Sequence, residues 1–236
     1  MRNPGSFYRK EELLQKMTDY GIERALVYHA MAKEYDPQAG NGILAQEIEN
    51  EPRLCPVWAL LPHYTGEFDT PDETAEKMRR QGVRAVTMFP SPACQFFSLA
   101  EFTCGEIFAM LETHHIPLFI GMDQLGGLAG LEGICARHPE LRVVVTGVNY
   151  RIDRDLYPLL AQYPYIYIET SGYKTMDGIG TICARFGAGR LLFGTGMPVT
   201  SGSGAVGLIT YASISDEEKQ MIAAGNLEKL LGGVRF

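Results

Sequence analysis

The sequence lacks the long apolar runs of a membrane protein. None of its apolar runs approaches the length that a helix needs to cross a bilayer. Its first residues, MRNPGSFYRK, contain no apolar segment of the kind that a signal peptide has. Cysteine is also scarce, because the chain has five scattered cysteines and no Cys-x-x-Cys pair. This pattern argues against a zinc ribbon or a redox motif and is typical of reduced thiols. We therefore predict a cytoplasmic protein.

Positive charge is in short supply as well. The chain has 21 Lys and Arg residues against 28 Asp and Glu residues, which gives a formal net charge of −7 at pH 7. Nucleic acids and anionic membranes both require a basic protein surface. The charge balance therefore predicts that neither is a partner, and leaves a small-molecule ligand as the expected one.

What the sequence does contain is the composition of an ordinary globular domain. It has 236 residues, of which 46% are hydrophobic and 21% are charged. We find no linker, no internal repeat and no low-complexity segment. The chain is long enough to bury a large core, so we predict a single domain over residues 1–236.

Apolar runs and amphipathic segments alternate along the whole chain. Such apolar runs are typical of a parallel sheet covered on both faces. No run leads directly into a Gly-x-Gly-x-x-Gly segment, so an open dinucleotide-binding sheet is less favoured than a barrel. The predicted strands are Arg24–His29, Cys55–Leu61, Val83–Phe89, Ile116–Ile120, Leu141–Val145, Tyr165–Glu169 and Leu191–Phe193. The predicted helices are 10–20, about 40–50, Pro71–Gln81, Leu99–Thr113, Leu125–His138, Asp153–Gln162, Gly178–Phe186 and Asp216–Leu230.

Capping residues support several of these helix boundaries. Thr70 precedes Pro71 as an N-cap precedes a first-turn proline, and Gly82 follows the same helix as a C-terminal cap. Ser215 and Glu218 have the spacing of a capping box.

Several short segments follow one another in a recognisable order along the chain. They are Tyr20–Val27, Asn41 with Pro52–Leu54, Gly82–Val86, His138–Leu141, Tyr167–Ser171, Arg190–Pro198 and Glu217–Leu227. Taken together, these segments resemble the amidohydrolase-related TIM-barrel family. The resemblance implies a TIM-like (β/α) barrel with seven recognisable strands, in which the first barrel strand is missing or replaced. Either a strand is encoded upstream of Met1, or the amino-terminal segment or a partner fills the gap.

The resemblance also implies where a metal site would lie. Hydrolases of this family hold a divalent metal with a His-x-His pair on the first strand, with histidines ending the fifth and sixth strands, and with an aspartate ending the eighth. Such a metal lowers the pKa of its bound water to about 7. Here the three later positions are Gly121, Gly147 and Gly196, and glycine has no side-chain donor. We therefore expect the metal site to be lost, with no cofactor in its place.

Other polar residues follow the predicted strands and are candidates for a different site, because ligands bind at the carboxyl ends of barrel strands. His29, His63, Asp123 and Glu169 are the candidate catalytic residues, as metal ligands or as general acid and base. The structural alternative is that the histidines are hydrogen-bonded wall residues and that Glu169 pairs with Arg151. The expected substrate-binding residues are Phe89, Gly121, Met122, Gly147, Asn149, Arg151, Ser171, Tyr173, Thr195 and Gly196.

Three further features have more than one interpretation. His114, His115 and His138 fall on the amino-terminal face, where barrel residues serve stability. The Pro90–Phe97 loop is a lid, a partner surface or packing, and its Cys94 lacks an evident activating histidine. Gly202–Ala205 is either an anion-binding turn or, more in keeping with its composition, a flexible loop.

Two functional hypotheses follow from the sequence. In the first, a divergent amidohydrolase-like barrel without the metal site binds a small molecule or carries out metal-independent chemistry. In the alternative, the chain is an active hydrolase or decarboxylase with a rebuilt site around His29, His63, Asp123 and Glu169. The three glycines favour the first hypothesis. An open barrel edge exposes unpaired backbone groups, so we also expect a homodimer.

Overall fold

A computed structural model describes residues 6–236 of the chain. Its strands are β1 (Ala25–Val27), β2 (Leu54–Pro56), β3 (Trp58–Ala59), β4 (Val86–Thr87), β5 (Leu118–Gly121), β6 (Val143–Thr146), β7 (Ile166–Glu169) and β8 (Leu191–Leu192). Its α-helices are α1 (Lys10–Asp19), α2 (Ala30–Glu34), α3 (Pro37–Ile48), α4 (Pro71–Gln81), α5 (Glu101–Thr113), α6 (Leu128–Arg137), α7 (Asp153–Gln162), α8 (Gly178–Phe186), α9 (Gly202–Thr210), α10 (Asp216–Gln220) and α11 (Asn226–Gly232).

The strands pair in parallel and in chain order. β1 pairs with β2, and β3 to β8 form a sheet of six strands in sequence order. Val57, between β2 and β3, donates to Val27 of β1, whereas the next residue, Trp58, donates to Ala85 beside β4. Residues 54–59 therefore act as one strand that joins the two sheets. The result is the predicted TIM-like barrel of seven strands, and within residues 6–236 no strand lies between β8 and β1.

The outer edge of β8 is covered by the closing helices instead of by a first strand. Phe193 N–H donates to the Ile222 carbonyl at 3.0 Å. The Asn226 amide, which is buried, donates to the Leu191 carbonyl at 2.8 Å. Ile222 belongs to a π-helical turn, Met221–Gly225, that joins α10 to α11. The closing helix is therefore interrupted where it meets the strand edge, rather than continuous over 216–230 as predicted.

The core has two layers, as alternation along the strands requires. Leu118 and Ile120 of β5 point outward and join the main apolar cluster, which lies between the sheet and the helices. Phe119, between them, points inward with Val144 and Leu192, where residues of α11 pack against them. The same closing helix thus covers the edge of β8 and packs against the inner face of the sheet.

The amino-terminal region lies beside the last strand. Ser6 Oγ donates to the Pro198 carbonyl at 3.2 Å. A Cβ atom at Gly202 would lie 2.6 Å from the Tyr20 ring, so only glycine allows the end of α1 to pack against the start of α9. The gap between β8 and β1 is therefore bordered by the segment that begins at Ser6, while residues 1–5 lie outside the described part. No helix in residues 6–236 is long and apolar enough to cross a membrane.

Candidate functional site

The candidate site lies at the carboxyl ends of the strands, on the inner face of the sheet. Register pairs Gly121 with Thr146, and Glu169 with Leu192. Because alternate residues share a face, Gly121 and Thr146 lie on the same inward face as Phe119 and Val144. These ends form the mouth of the barrel, where a parallel α/β fold collects its functional side chains.

Glu169 is the most buried carboxylate of this region, and its partners are local. Oε1 accepts from Ser171 N–H and Oε2 accepts from Ser171 Oγ, both at 2.7 Å. Burial raises the pKa of the Glu169 carboxyl, while hydrogen bonds from Ser171 and Gly147 and the charge of Lys174 lower it in part. The proposed pairing of Glu169 with Arg151 does not form. The raised pKa makes Glu169 a candidate proton donor.

Gly194 makes room for this carboxylate. A Cβ atom at Gly194 would collide with the Oε1 atom of Glu169. No local pattern in the sequence reveals the role of Gly194, because the contact joins β7 to the residues after β8. The close approach fixes the carboxylate against the last strand.

The three glycines at the positions where the family resemblance predicts metal ligands have different surroundings. A Cβ atom at Gly121 would collide with Oδ1 of Asp123, so that carboxylate already lies where a side chain at position 121 would begin. At Gly196, which has a φ of 64°, a Cβ atom would lie 2.5 Å from Thr200 Oγ1 and 3.2 Å from Ser171 Oγ. Only Gly147 faces open space. Two of the three positions are thus filled by the chain's own polar groups.

An aromatic and cationic corner lies on the other side of the mouth. The rings of Tyr28 and Phe89 have centroids 5.2 Å apart, and Lys33 Nζ lies 5.5 Å from the centroid of the Phe89 ring. Burial raises the pKa of the Tyr28 hydroxyl, the charge of Lys33 lowers it and the charge of Asp123 raises it further. Phe89 was expected at the site. Lys33 was missed because the short helix α2 that carries it gives no periodic signal. Tyr28 lies within the predicted strand Arg24–His29, but only its packing against Phe89 shows that it belongs to this corner.

Helix α2 itself covers part of the mouth. Ala32 is fully buried against Ala59 and Phe89, and Cys94 packs against the same cluster. The loop that carries Cys94 is therefore anchored by packing at this point, although Phe96 on the same loop remains 77% exposed. Helix α2 and this loop therefore fill part of the space beside Phe89, where a ligand was expected.

The two candidate histidines point to different neighbours. His29 Nδ1 accepts from Met31 N–H at 3.1 Å and so caps α2. His63 Nε2 lies 3.4 Å from Oε2 of Glu106 on α5, and its ring lies 4.2 Å from that of Tyr64. The His29 ring thus caps a helix, whereas His63 contacts Glu106 through Nε2 and its buried Nδ1 has no hydrogen-bond partner in the described part of the chain.

A family comparison decides the relationship that the fold suggests. The family model described as amidohydrolase matches residues 11–233, which is nearly the whole chain. This chain belongs to the amidohydrolase family. No curated protein is similar enough in sequence to match it.

Solved structures with the same fold agree with membership of the amidohydrolase family. The TIM-barrel protein Bb4693 from Bordetella bronchiseptica is 19% identical, with a TM-score of 0.75 over 95% of this chain and 83% of that one. The 2,6-dihydroxybenzoate decarboxylase from Rhizobium is 15% identical, with a TM-score of 0.73 over 95% and 88%. The 5-carboxyvanillate decarboxylase from Sphingomonas paucimobilis is 15% identical, with a TM-score of 0.70 over 94% and 82%. At these identities the likeness establishes the fold alone.

The side chains that could serve as metal ligands are dispersed in the described part of the chain. Across residues 6–236, no three His, Cys, Asp or Glu side chains form a group that could hold a metal ion. Asp123 Oδ2 accepts from Gln124 at 2.8 Å, and Glu169 is occupied by Ser171. The four candidates His29, His63, Asp123 and Glu169 therefore do not form a ligand set in this arrangement.

The other residues expected to bind substrate divide into two groups. Thr195 and Asn149 serve local turns, since Thr195 Oγ1 accepts from Met197 N–H at 3.2 Å and Asn149 Oδ1 accepts from Arg151 N–H at 3.0 Å. The Arg151 side chain is exposed. These positions surround the mouth without contacting Glu169.

Met122 and Tyr173 face the core. Met122 packs against the main apolar cluster. Tyr173 is fully buried, and its hydroxyl bonds to Asp153 and Tyr157, each at 3.0 Å. Since its hydroxyl is satisfied inside the core, we leave Tyr173 out of the candidate site.

The remaining sequence features have structural explanations. His138 is buried between two carboxylates of α5, 3.2 Å from Glu101 and 3.3 Å from Glu112. His114 Nδ1 contacts the Arg235 carbonyl at 2.8 Å. Residues 202–205 are the first turn of α9, so the expected flexible loop is wrong there.

Proposed function

We propose that this amidohydrolase-family chain binds a small molecule at the barrel mouth, or acts on it, without the metal of its family. The observation that carries this proposal is the position of the Asp123 carboxylate. It lies where the side chain of a ligand at position 121 would begin. A histidine there would collide with it, and an isolated carboxylate on one strand does not make a metal site.

The electrostatics of the mouth support chemistry of this kind. Glu169 has a raised pKa because of burial, and it shares a hydrogen bond with Ser171 Oγ. A carboxyl group whose pKa is raised keeps its proton to higher pH than a free carboxyl group does, and it can donate that proton to a ligand. Lys33, in the opposite corner, supplies a positive charge. The mouth therefore offers an acid and a cation, which suits a small anionic ligand.

Metal analysis of the purified protein tests the proposal. The protein is expressed with added zinc, manganese and iron, purified without chelator and examined by elemental analysis. We expect far less than one metal ion per chain, and no change in the unfolding temperature when a chelator is added. About one zinc, manganese or iron per chain, with a chelator-induced loss of stability, would refute the proposal.

A second candidate is an active hydrolase or decarboxylase with a site rebuilt around His29, His63, Asp123 and Glu169. Its support comes from membership of the amidohydrolase family and from the fold shared with two decarboxylases. It requires that ligand binding release His29 from the α2 cap and His63 from Glu106.

A direct activity assay separates the two candidates. The wild-type chain and Glu169→Gln are incubated with 2,6-dihydroxybenzoate, with and without manganese, and released carbon dioxide is measured. Release that requires manganese and is lost in Glu169→Gln favours the second candidate. Under the first candidate function, the release of carbon dioxide should not depend on manganese.

We also propose that the chain forms a homodimer. β1 has no strand partner on its outer edge within residues 6–236, and unpaired strand edges favour association. Size-exclusion chromatography with light scattering should give the dimer mass. A monomer mass over a wide range of concentrations contradicts this proposal.

A further inference from the structure

A lysine without a charge partner lies at the aromatic corner of the barrel mouth. Lys33 on α2 is half-buried, and its Nζ atom lies 5.5 Å from the centroid of the Phe89 ring. Within residues 6–236, Lys33 Nζ takes part in no hydrogen bond and no ion pair. A partly buried ammonium group without an acceptor favours the binding of an anionic group beside it.

Asp123 places the opposite charge beside the same corner. Its Oδ1 atom lies where a Cβ atom of Gly121 would be, and the register of β4 with β5 puts position 121 level with Phe89. Neighbouring strands are about 4.8 Å apart, so this carboxylate lies one strand away from the corner. The Oδ2 atom accepts from Gln124 at 2.8 Å, whereas Oδ1 has no hydrogen bond in the described part of the chain. Because Asp123 is an exposed residue, Oδ1 is available to a donor of a ligand.

Tyr28 shows that the two charges are close to each other. Its ring packs against Phe89 with centroids 5.2 Å apart, and the residue is 46% exposed. Burial is the main cause of the raised pKa of its hydroxyl, and after burial the charge of Lys33 lowers that pKa and the charge of Asp123 raises it. Both charges therefore act on the same hydroxyl, although no ion pair joins them. The corner thus presents a cation and an anion around an exposed aromatic ring.

These two charges favour one class of small ligand over others. A simple anion that binds Lys33 brings its own negative charge near Asp123, and like charges repel. A simple cation that binds Asp123 is repelled by Lys33 in the same way. A ligand that carries both charges a short distance apart complements both side chains. An α-amino acid is such a ligand, because its ammonium and carboxylate groups are attached to one carbon atom.

We propose that this corner of the mouth binds the zwitterion of an α-amino acid. The carboxylate of the ligand accepts from Lys33 Nζ, and its ammonium group donates to Asp123 Oδ1. The side chain of the ligand lies against the exposed part of the Tyr28 ring. This inference names the ligand class of the proposed function and rests on that function.

Calorimetric titration of the full chain with three related compounds tests the proposal. The first is L-phenylalanine, whose ring suits Tyr28. The second, L-phenylalaninamide, lacks the carboxylate, and the third, N-acetyl-L-phenylalanine, lacks the ammonium group. We expect saturable binding of L-phenylalanine and binding about tenfold weaker for each derivative, since a hydrogen bond between charged groups contributes at least that factor.

Two substitutions assign each charge of the ligand to its partner. Lys33→Gln should abolish the preference for L-phenylalanine over its amide and keep the preference over the N-acetyl derivative. Asp123→Asn should do the reverse. Lys229→Gln, which changes an exposed lysine on α11, should leave all three affinities unchanged. Circular dichroism verifies that the variants are folded.

The outcomes separate this inference from the proposed function. No saturable binding of L-phenylalanine, equal binding of the three compounds, or the same loss in all three variants would each overturn the amino-acid site. Such a result in protein that contains no metal leaves the metal-free function intact. Conversely, about one metal ion per chain together with the expected pattern of affinities would refute the metal-free function and support the amino-acid site.

Discussion

Replacing Asn41 with alanine should be among the most destabilising changes on helix α3. Asn41 is 5% exposed, and its carboxamide completes the edge of β3. Its Nδ2 donates to the Ala59 carbonyl and its Oδ1 accepts from Ala59 N–H, both at 2.9 Å. After β1 the chain turns into α2, so no strand lies beside Ala59 on that edge of β3. The side chain of Asn41 takes the place of that strand.

The magnitude follows from what Asn41→Ala leaves behind. Ala59 is fully buried, so its N–H and C=O would both lose their partners, and water could replace them only through the space vacated by Asn41, which lines a pocket between α3 and α4. Each unsatisfied buried group costs about 1–3 kcal/mol, and the two together about 2–6 kcal/mol. This is a large part of the free energy of unfolding of a typical domain, about 5–15 kcal/mol.

Urea denaturation followed by circular dichroism measures this loss. Gln46→Ala is the matched control, because Gln46 is an exposed residue of the same helix, and such changes stay within about 0.5 kcal/mol. If Asn41→Ala costs no more than Gln46→Ala, the carboxamide does not complete the strand edge and the reasoning is refuted.

Two other substitutions test the mouth. Gly194→Ala should displace the Glu169 carboxylate and cost about 1–3 kcal/mol of unfolding free energy, while Gly189→Ala, where a Cβ atom meets nothing within 4 Å, should not. Glu169→Gln should change the pH dependence of stability. Because the folded pKa of Glu169 is raised above 4.5, the wild type should lose unfolding free energy relative to Glu169→Gln as the pH rises from 4.5 through that folded pKa. Parallel pH profiles of the two proteins would contradict this.

Capping residues in the sequence predicted two helix starts correctly. Helix α4 covers Pro71–Gln81 as predicted, because Thr70 accepts from Glu73 N–H at its start and Gly82 adopts a φ of 67° at its end. The capping box of Ser215 and Glu218 also forms as predicted. Such signals are local, so the sequence displays them directly.

Elements without a local signal were missed. Helix α2 has five residues, too few for apolar periodicity to appear. Helix α9 contains Gly202, Gly204 and Gly207, and that composition predicted a loop. Tertiary contacts determine it, since Gly202 allows Tyr20 to pack at its start.

In the candidate site, too, features with a local sequence signal were predicted and features set by long-range packing were missed. The position of Glu169 at a strand end was readable from the pattern, but the orientation of His63 was not. That side chain turns toward Glu106, which is 43 residues away in the chain, and only the packing of α5 against the β3–α4 segment brings the two together. Sequence therefore predicted which residues end strands, whereas long-range packing decides where their side chains point.

The space beside the glycines at the mouth is not simply the space of missing side chains. If side chains had simply been removed at positions 121 and 196, the structure would have open space at both, as it has at Gly147. Asp123 and Thr200 lie in that space instead. A histidine restored at position 121 would first have to displace Asp123, and one at position 147 would need the left-handed φ of 69°, which side chains with a Cβ atom adopt at a cost. A side chain at position 121 or 196 would therefore require Asp123 or Thr200 to move, whereas at position 147 the cost lies in the backbone conformation.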